Sequence, residues 1–240
     1  MSQIIYETRG RAREYNELAV NLYRGCDHHC IYCWAPAATF ATREKFGNPE
    51  PRKDILSKLA NDAEAIRGEE RPILMCFSCD PFQELDVKEQ LTRGAIEILK
   101  SNGLRVSILT KGGSRAQRDF DLLESDDAFG TTLTLLDEDK SRKWEPQAAS
   151  PSDRIDTIIK AHSLGIPTWV SLEPVIDPQA TLDIIEATHG FVDEYKIGVM
   201  NYVKMDIDWA EFARRVVALL DKLGCRYYLK KDLRQWLQKT

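Results

Sequence analysis

The sequence predicts an α/β fold in which a parallel sheet curves into a partial (β/α)6 barrel. Six short runs rich in β-branched and aromatic residues alternate with amphipathic stretches long enough to form helices. No repeat of fixed period and no low-complexity segment interrupts this alternation. Consecutive βα units with right-handed crossovers place the helices outside a parallel sheet and roll that sheet toward a barrel.

Each predicted unit is one strand followed by one helix. The strands are expected at residues 17–23, 72–78, 105–110, 129–135, 167–172 and 194–200. The helices are expected at residues 53–67, 87–102, 116–124, 151–164, 179–188 and 209–223. A last strand at Arg226–Leu229 and a helix near residues 233–237 are expected to close or cap one edge. Because no linker separates these units, residues 1–240 are predicted to form a single domain with a C-terminal cap at 225–240.

The composition is that of an ordinary globular protein. The 240 residues are 43% hydrophobic and 30% charged, with a formal net charge of −5. This balance does not indicate nucleic-acid binding, although it leaves room for a local basic groove. No apolar stretch approaches the roughly 20 residues of a membrane span, and residues 1–7 lack the features of a secretory signal. We therefore expect a cytoplasmic protein without a membrane partner, whose six cysteines are metal ligands, reactive thiols or core residues.

Three cysteines in one short loop form the most informative motif. Cys26, Cys30 and Cys33 follow the first predicted strand with the spacing Cys-x3-Cys-x2-Cys, within a loop at residues 24–34. Three thiolates so close together can bind three irons of a cubane cluster and leave the fourth iron for an exogenous chelating ligand. Gly25 allows a tight backbone turn before the loop. The spacing therefore favours an open [4Fe-4S] site.

Other interpretations of these cysteines stay open. A structural zinc site would add Cys76 and Cys79, although that pair lies at a strand end of its own. A closed cluster would take its fourth ligand from one of those two cysteines or from His28 or His29. We expect Asp27, His28 and His29 to be solvated or to tune the cluster rather than to bind it. Unrelated buried cysteines are disfavoured because the three lie so close together.

Strand alternation independently predicts the lining of a cavity at the carboxyl ends of the strands. On the second strand Cys76, Ser78 and Asp80 are expected to face the interior, opposite the apolar set Ile73, Met75 and Phe77. The same reasoning nominates Lys111 at the end of the third strand, Thr132 and Thr134 on the fourth, and Trp169, Ser171 and Glu173 on the fifth. Hydroxyls, a lysine and two carboxylates that converge on strand ends indicate a ligand cavity, whereas any single one could be a solvated strand end.

The cysteine loop resembles that of the radical S-adenosylmethionine (SAM) superfamily, and the resemblance covers nearly the whole chain. The supporting segments occur in the order found in the spore photoproduct lyase-like branch: NLYRGC at 21–26, CDPFQ at 79–83, LTR at 91–93, LTK at 109–111, RD at 118–119 and LDE at 136–138. The resemblance implies a radical SAM-type barrel, a [4Fe-4S] cluster, and SAM chelated to the open iron. Reductive cleavage of SAM would yield a 5′-deoxyadenosyl radical that abstracts hydrogen.

The resemblance also implies partners and a substrate class. An external electron donor of the flavodoxin or ferredoxin type would reduce the cluster. The substrate would be a nucleic-acid lesion or a modified base in a lyase-like reaction. Two alternatives remain: a radical SAM enzyme that acts on a peptide or small metabolite, and a non-catalytic iron–sulfur or zinc protein.

Individual residue roles follow from the same resemblance. The segment 78–80 would contact the methionyl amine of SAM, and Lys111 would meet its carboxylate. Thr132 would hydrogen-bond the ligand, and Tyr32 would flank the adenine. Thr134 and Glu173, which strand alternation alone nominates, complete the expected cofactor-binding set.

Cys76 and Cys79 are the two candidates for a further catalytic role. In the lyase-like branch a cysteine on this strand, two residues before a SAM-contacting serine, returns a hydrogen atom to the product radical. Cys76-Phe77-Ser78 reproduces that pattern, and alignment with Cys79 is also open. The alternative for both is a small buried core residue, which is also the simplest interpretation of Cys225.

Overall fold

The fold is described from a computed structural model that covers residues 3–238. Residues 1, 2, 239 and 240 belong to the predicted single domain and its cap but lie outside the described residues. That the chain forms a single domain stays a prediction.

The strands are β1 (Tyr6–Glu7), β2 (Leu18–Val20), β3 (Tyr23–Arg24), β4 (Glu50–Pro51), β5 (Ile73–Met75), β6 (Val106–Thr110), β7 (Ala128–Thr132), β8 (Thr168–Leu172), β9 (Glu194–Ile197) and β10 (Arg226–Leu229). The helices are α1 (Ala35–Ala38), α2 (Arg43–Phe46), α3 (Ile55–Ala65), α4 (Glu84–Glu89), α5 (Leu91–Ser101), α6 (Glu138–Trp144), α7 (Pro151–Ser163), α8 (Pro178–Thr188), α9 (Trp209–Leu223) and α10 (Lys231–Arg234).

Eight of these strands form one sheet in the order β1-β2-β5-β6-β7-β8-β9-β10. All neighbouring pairs from β2 to β10 are parallel, whereas β1 is antiparallel to β2. Partners such as Met75 with Ile108 and Thr132 with Ser171 set the register. Within residues 3–238, no strand pairing joins β10 to β1 or β2. The sheet is therefore a partial barrel, which confirms the predicted α/β fold.

The main core lies between the sheet and its helices. Alternate strand residues such as Ile73, Met75 and Ile108 are fully buried against apolar helix residues that include Ala95 and Leu99. Removing these side chains from water supplies most of the favourable free energy that holds helices on a sheet. Each strand and helix contributes apolar residues to this core at its own period. The apolar pattern of the sequence therefore predicts the order of the elements.

A smaller apolar cluster fills the inside of the barrel. Leu74, Ala19 and Trp169 are buried there, and Tyr15 packs on the Trp169 ring at a centroid distance of 6.0 Å. Trp169 lies directly over Gly130 of the neighbouring strand, where a Cβ would be 2.3 Å from the indole. Glycine is therefore required at this position of β7 because the indole occupies the space of a side chain.

The open seam of the barrel is covered by segments from both ends of the chain. A 3₁₀ helix at Gly10–Glu14 lies against the C-terminal segment. The Glu14 carboxylate accepts hydrogen bonds from the Lys231 backbone N–H at 2.6 Å and from the Tyr228 hydroxyl at 3.2 Å, and Arg11 pairs with Asp232 at 2.6 Å. The strand at Arg226–Leu229 and the cap after it were predicted, whereas the N-terminal half of this closure was not.

Several predicted boundaries are wrong for local reasons. The helix expected at 87–102 is two helices, because Gln90 between α4 and α5 has a left-handed backbone with φ of 50°. The helix expected at 116–124 is a 3₁₀ helix at Gly113–Leu122. The strand expected at 72–78 ends at Met75, because Cys76 adopts φ of 62°.

Substitution of Gly130 tests the packing inside the barrel. We expect Gly130→Ala to lower the free energy of unfolding by about 1–3 kcal/mol, because the added methyl group overlaps the Trp169 ring. Urea denaturation measures the loss. Gly190→Ala is the matched control, since nothing lies within 4 Å of a Cβ at that position; equal losses in the two variants would contradict the packing.

Candidate functional site

A cavity of about 270 Å³ opens at the carboxyl ends of the parallel strands. It is lined by residues at or after the ends of β5, β6, β7, β8, β9 and β10, together with the cysteine loop. Eleven residues predicted from the sequence line it: Cys26, Cys30, Tyr32, Cys33, Cys76, Ser78, Cys79, Asp80, Lys111, Thr132 and Glu173. The structure thus brings together residues that are up to 147 positions apart, from Cys26 to Glu173.

Trp169, Ser171 and Thr134 were also expected at the cavity, but they do not line it. Strand β7 ends at Thr132, so the alternation that placed Thr134 on the same face does not continue to it. The side chain is buried, and its hydroxyl has no hydrogen-bond partner in the described part of the chain. Its expected contact with a cofactor is therefore not supported by its position.

The cysteine loop is held by hydrogen bonds to its backbone. The guanidinium of Arg43 on α2 donates to the Cys30 carbonyl at 3.2 Å and to the Ile31 carbonyl at 2.7 Å. The Cys26 N–H donates to the Phe46 carbonyl at 2.8 Å. Gly25 precedes this contact with φ of 87°, and a Cβ there would be 2.4 Å from the same carbonyl oxygen. The loop conformation is therefore set by α2 as well as by its own turn.

A buried ion pair ties the loop to the end of α6 and to α7. Glu145 and Arg154 are both fully buried, and their charged atoms are 2.7 Å apart. The Tyr32 hydroxyl donates to the Glu145 carboxylate, and Arg154 donates to the Thr132 carbonyl at 2.9 Å. A backbone bond of 2.9 Å from the Ile31 N–H to the Trp144 carbonyl completes the connection. Tyr32 is thus oriented by a charged pair that lies behind it.

Lys111 places a cation on the wall of the cavity. Its carbonyl accepts from the Ala149 N–H at 2.9 Å, and its ammonium lies 5.6 Å from the centroid of the Tyr32 ring. Burial alone would lower the pKa of Lys111, but the neighbouring Cys30 and Glu145 outweigh burial and raise the pKa above its ordinary value. The ammonium therefore stays charged at neutral pH and is suited to meet a carboxylate.

Asp80 joins the ends of two strands. Its carboxylate accepts from the Thr110 hydroxyl at 2.6 Å, the Lys111 N–H at 2.7 Å and the Phe82 N–H at 2.9 Å. His28 also faces it, with Nδ1 at 3.5 Å from the carboxylate. These contacts position the backbone of Lys111, and the expected contact of Asp80 with the methionyl amine stays a prediction.

The loop residues Asp27 and His28, which were expected to be solvated or to tune the cluster, are held by contacts with the protein. His28 is buried, and its Nε2 lies 3.2 Å from the Arg115 guanidinium. Burial lowers the pKa of His28, which favours a neutral ring. Asp27 accepts hydrogen bonds from the Glu84 and Leu85 N–H groups at the start of α4, whereas His29 is exposed.

The segment after β5 does not follow simple alternation. Because Cys76 has a left-handed backbone, Phe77 turns into the cavity and contacts the Trp34 ring at a centroid distance of 5.1 Å. The prediction that Phe77 lies on the strand face opposite the interior is therefore wrong. Cys76 packs with the helix-facing core and is also one of the residues that line the cavity. The Ser78 N–H donates to the Asn21 side chain at 2.8 Å, and Ser78 lines the cavity as predicted.

Residues from both chain ends line the other end of the cavity, and the sequence prediction missed them. Lys230 donates to the Glu173 carboxylate, to which the Tyr15 hydroxyl also donates at 2.5 Å. Arg9 and Arg11 line the same end. Glu173 was predicted from the alternation on β8. Tyr15 and Lys230, which contact it across the seam, belong to no local sequence pattern that predicts this contact.

The donor set of the loop fits a [4Fe-4S] cluster with one open iron. Cys26, Cys30 and Cys33 carry free thiols that line one cavity. Burial raises the pKa of each, that of Cys30 to about 12, so metal binding would displace protons from them. His28 is engaged by Asp80 and Arg115, which disfavours it as a fourth ligand.

The sequence profile of the radical SAM superfamily matches residues 20–192. The chain belongs to the radical SAM superfamily. Membership implies an enzyme, and the resemblance that the motifs indicated is confirmed. In residues 3–238, no helix is long and apolar enough to cross a bilayer.

Curated relatives share part of the chain. An uncharacterized protein of Mycobacterium tuberculosis is 26% identical over 177 residues, which are 68% of this chain and 50% of that protein. A protein of Mycobacterium bovis, also uncharacterized, matches to the same extent. The chain thus spans about half the length of the curated relatives it matches.

Solved structures show the same fold. Spore photoproduct lyase complexed with dinucleoside spore photoproduct has a TM-score of 0.72 at 12% identity, covering 95% of this chain and 80% of that one. Streptococcus suis SuiB bound to S-adenosylmethionine has a TM-score of 0.65 at 14% identity, covering 88% of this chain and 49% of that one. The similarity confirms a partial barrel of the radical SAM type.

Replacing Glu145 tests the ion pair behind Tyr32. Glu145→Gln keeps the shape of the side chain but leaves Arg154 without its buried counter-charge. We expect the free energy of unfolding to fall by about 3 kcal/mol in urea denaturation. Glu186→Gln, an exposed change on α8, should stay within about 0.5 kcal/mol of the parent. A Glu145→Gln variant as stable as that control would show that the ion pair contributes nothing to the free energy of unfolding.

The same carboxylate predicts a pH dependence. Burial alone would raise the pKa of Glu145, but Arg154 and Lys111 outweigh it and lower the pKa below its ordinary value. The ionised group therefore stabilises the fold above the unfolded-state pKa of about 4.3, and this contribution is lost as the pH falls through the folded-state pKa. On acidification from neutral pH, the parent should lose more unfolding free energy than Glu145→Gln. Parallel stability profiles would contradict this assignment.

Proposed function

We propose that this chain holds a [4Fe-4S] cluster on Cys26, Cys30 and Cys33 and cleaves SAM reductively to abstract hydrogen from a nucleic-acid lesion or modified base. The observation that carries the proposal is that these three free thiols line one cavity with the Lys111 ammonium and the Ser78 hydroxyl. Membership of the radical SAM superfamily supports it.

When bound, the cluster supplies the electron that breaks the sulfonium of SAM into methionine and a 5′-deoxyadenosyl radical. The protein residues bind and orient SAM for that reaction. Lys111 offers a cation to the methionyl carboxylate, and Asp80 fixes the Lys111 backbone. Ser78 and Thr132 offer hydroxyls that can donate or accept. Tyr32 presents its ring to the adenine. Its hydroxyl is oriented by the hydrogen bond that it donates to the Glu145 carboxylate.

Aromatic and basic side chains support the proposed substrate class. Trp34, Phe77 and Tyr15 form a continuous aromatic wall, with centroid distances of 5.1 Å and 5.9 Å between successive rings. Planar bases stack on such side chains. Arg9 at the same cavity provides a cation for phosphate, whereas Arg11 is paired with Asp232. The solved spore photoproduct lyase carries a dinucleoside ligand on the same fold.

A peptide is the second candidate substrate. Streptococcus suis SuiB bound to the precursor peptide SuiA shares the fold with a TM-score of 0.65 at 13% identity, covering 95% of this chain and 53% of that one. Comparison of lesion-containing oligonucleotides with peptides as stimulators of 5′-deoxyadenosine formation decides between the two classes.

Anaerobic reconstitution with iron and sulfide tests the cluster and SAM cleavage. We expect about four irons per chain and 5′-deoxyadenosine after addition of dithionite and SAM. Cys30→Ala should lose both, because one of the three ligands is removed. Cys225→Ala is the matched control, since that cysteine does not line the cavity. The proposal fails if the parent binds no four-iron cluster or forms no 5′-deoxyadenosine.

Solvent deuterium tests the hydrogen-donor role of the two remaining cysteines at the cavity. A thiol exchanges its hydrogen with solvent, so product formed in D2O by the parent should carry deuterium from the donor. We expect Cys76→Ala to keep SAM cleavage but to lose that deuterium or stall the product. The same assay on Cys79→Ala decides which thiol donates, and deuterium retained in both variants would assign both cysteines to the core.

A further inference from the structure

Two cysteines after β5 form a Cys-x2-Cys pair. Cys76 directly follows the strand, and Cys79 stands three residues later. Both carry free thiols, and both line the cavity. The pair lies between β5 and α4, within a unit in which β5 and β6 are parallel neighbours. This spacing at this place in a parallel sheet is typical of redox-active dithiols.

The backbone brings the two thiols together. Cys76 has φ of 62°, so β5 stops before it and the chain bends over the next three residues. The thiols of Cys76 and Cys79 are joined by a hydrogen bond. Side chains three positions apart on an extended strand would point to opposite faces. The bend therefore creates a contact that a disulfide requires and that a continued strand would prevent.

Asn21, which follows β2, fixes this turn from the neighbouring strand. Its Nδ2 donates to the Tyr6 hydroxyl at 2.8 Å, which leaves Oδ1 facing the cysteine pair. The Asn21 Oδ1 accepts from the Ser78 N–H at 2.8 Å and lies 4.0 Å from the Cys79 Sγ. Because the turn is already ordered and only two residues separate the cysteines, joining them costs little further chain entropy.

The two thiols differ in their exposure. Cys76 is 4% exposed, whereas Cys79 is only partly buried. A small molecule that enters the cavity can therefore reach Cys79 first. Cys76 is then the neighbouring thiol that can attack a mixed disulfide on Cys79.

Zinc is a poor alternative occupant of this pair. In residues 3–238, no third histidine, cysteine or carboxylate completes a group with the two thiols in which all ligand atoms lie within 4.8 Å of one another. A structural zinc site requires four such ligands. Both thiols therefore stay available for exchange.

We propose that Cys76 and Cys79 form a reversible disulfide by exchange with a small-molecule disulfide, and that this bond blocks hydrogen donation at the cavity. The Cys79 thiolate attacks one sulfur of the small disulfide, whose S–S bond breaks and releases one thiol. The Cys76 thiolate then attacks the Cys79 Sγ, and the second small thiol leaves. Two protein thiols are oxidised, one small disulfide is reduced, and the two protein protons end on the released thiols.

The closed pair has no S–H group, so neither cysteine can return hydrogen to a substrate radical. This effect on catalysis rests on the proposed function, in which one of these thiols is the hydrogen donor. Formation of the disulfide does not depend on that function. A reversible bond of this kind suits a reducing compartment, where disulfides are transient and serve as sensors or in catalysis.

Mass spectrometry tests the disulfide without reference to catalysis. The reconstituted protein is incubated anaerobically with oxidised glutathione, alkylated under denaturing conditions and digested with trypsin. Both cysteines fall in one tryptic peptide, because no lysine or arginine stands between Arg71 and Lys88. We expect this peptide to lose two hydrogens and both alkylation sites. Excess reduced glutathione should restore them.

Single replacements identify the role of each thiol. Cys76→Ser should keep glutathione on Cys79, because the attacking neighbour is gone, and the parent should carry at least about tenfold less of this adduct. Cys79→Ser should leave Cys76 largely unmodified. Cys225, which does not line the cavity, is the internal control and should carry at most an adduct. A parent peptide that keeps both thiols, or that keeps the adduct as Cys76→Ser does, would overturn the disulfide.

Turnover separates this inference from the proposed function. With reduced flavodoxin as electron donor, the oxidised parent should form 5′-deoxyadenosine like the reduced parent, but its product should stall or lack solvent deuterium. Equal deuterated product from the two forms would overturn the block. A parent that closes the disulfide but forms no 5′-deoxyadenosine in either form would overturn the proposed function and the block, whereas the disulfide would stand.

Discussion

The arrangement of the site depends on one buried ion pair, that between Glu145 and Arg154. Two charges removed from water are tolerated only when their geometry and remaining hydrogen bonds compensate for the lost hydration. Here that requirement is met by groups from separate parts of the fold: the hydroxyl of Tyr32 in the cysteine loop and the carbonyl of Thr132 at the end of β7. The nearby Lys111 ammonium adds to the field of the pair. Satisfying these two charges therefore sets the loop and the sheet edge in position relative to each other.

The order of strands and helices could be predicted from the sequence because apolar periodicity is a local property, recorded within each element. Boundaries failed where tertiary contacts impose an unusual backbone. The left-handed conformation of Cys76 is an example, since nothing in its neighbours marks it, and it moves Phe77 from the helix side into the cavity. Thr134 lies outside the cavity lining for a related reason, because β7 ends at Thr132, three residues before the predicted end of that strand.

The site was predictable where its residues follow strands or share a spacing motif. Cys26, Cys30 and Cys33 are recognisable together because a cluster requires several thiols within a short loop. Tyr15 and Lys230 could not be found in the same way, since their shared partner Glu173 is 158 and 57 positions away from them. Contacts between residues so far apart depend on how the sheet closes, and they produce no periodic pattern in the sequence.

The closure of the barrel seam by both ends of the chain has a consequence for biosynthesis. Lys230 follows the last strand and reaches Glu173, beside Tyr15 from the first segment. On the ribosome the cysteine loop emerges about 200 residues before that lysine, and domains form their long-range contacts only when the distant segment is available. Throughout that interval the thiols face an unfinished cavity. Completion of the cavity therefore awaits synthesis of β10 and of the lysine that follows it.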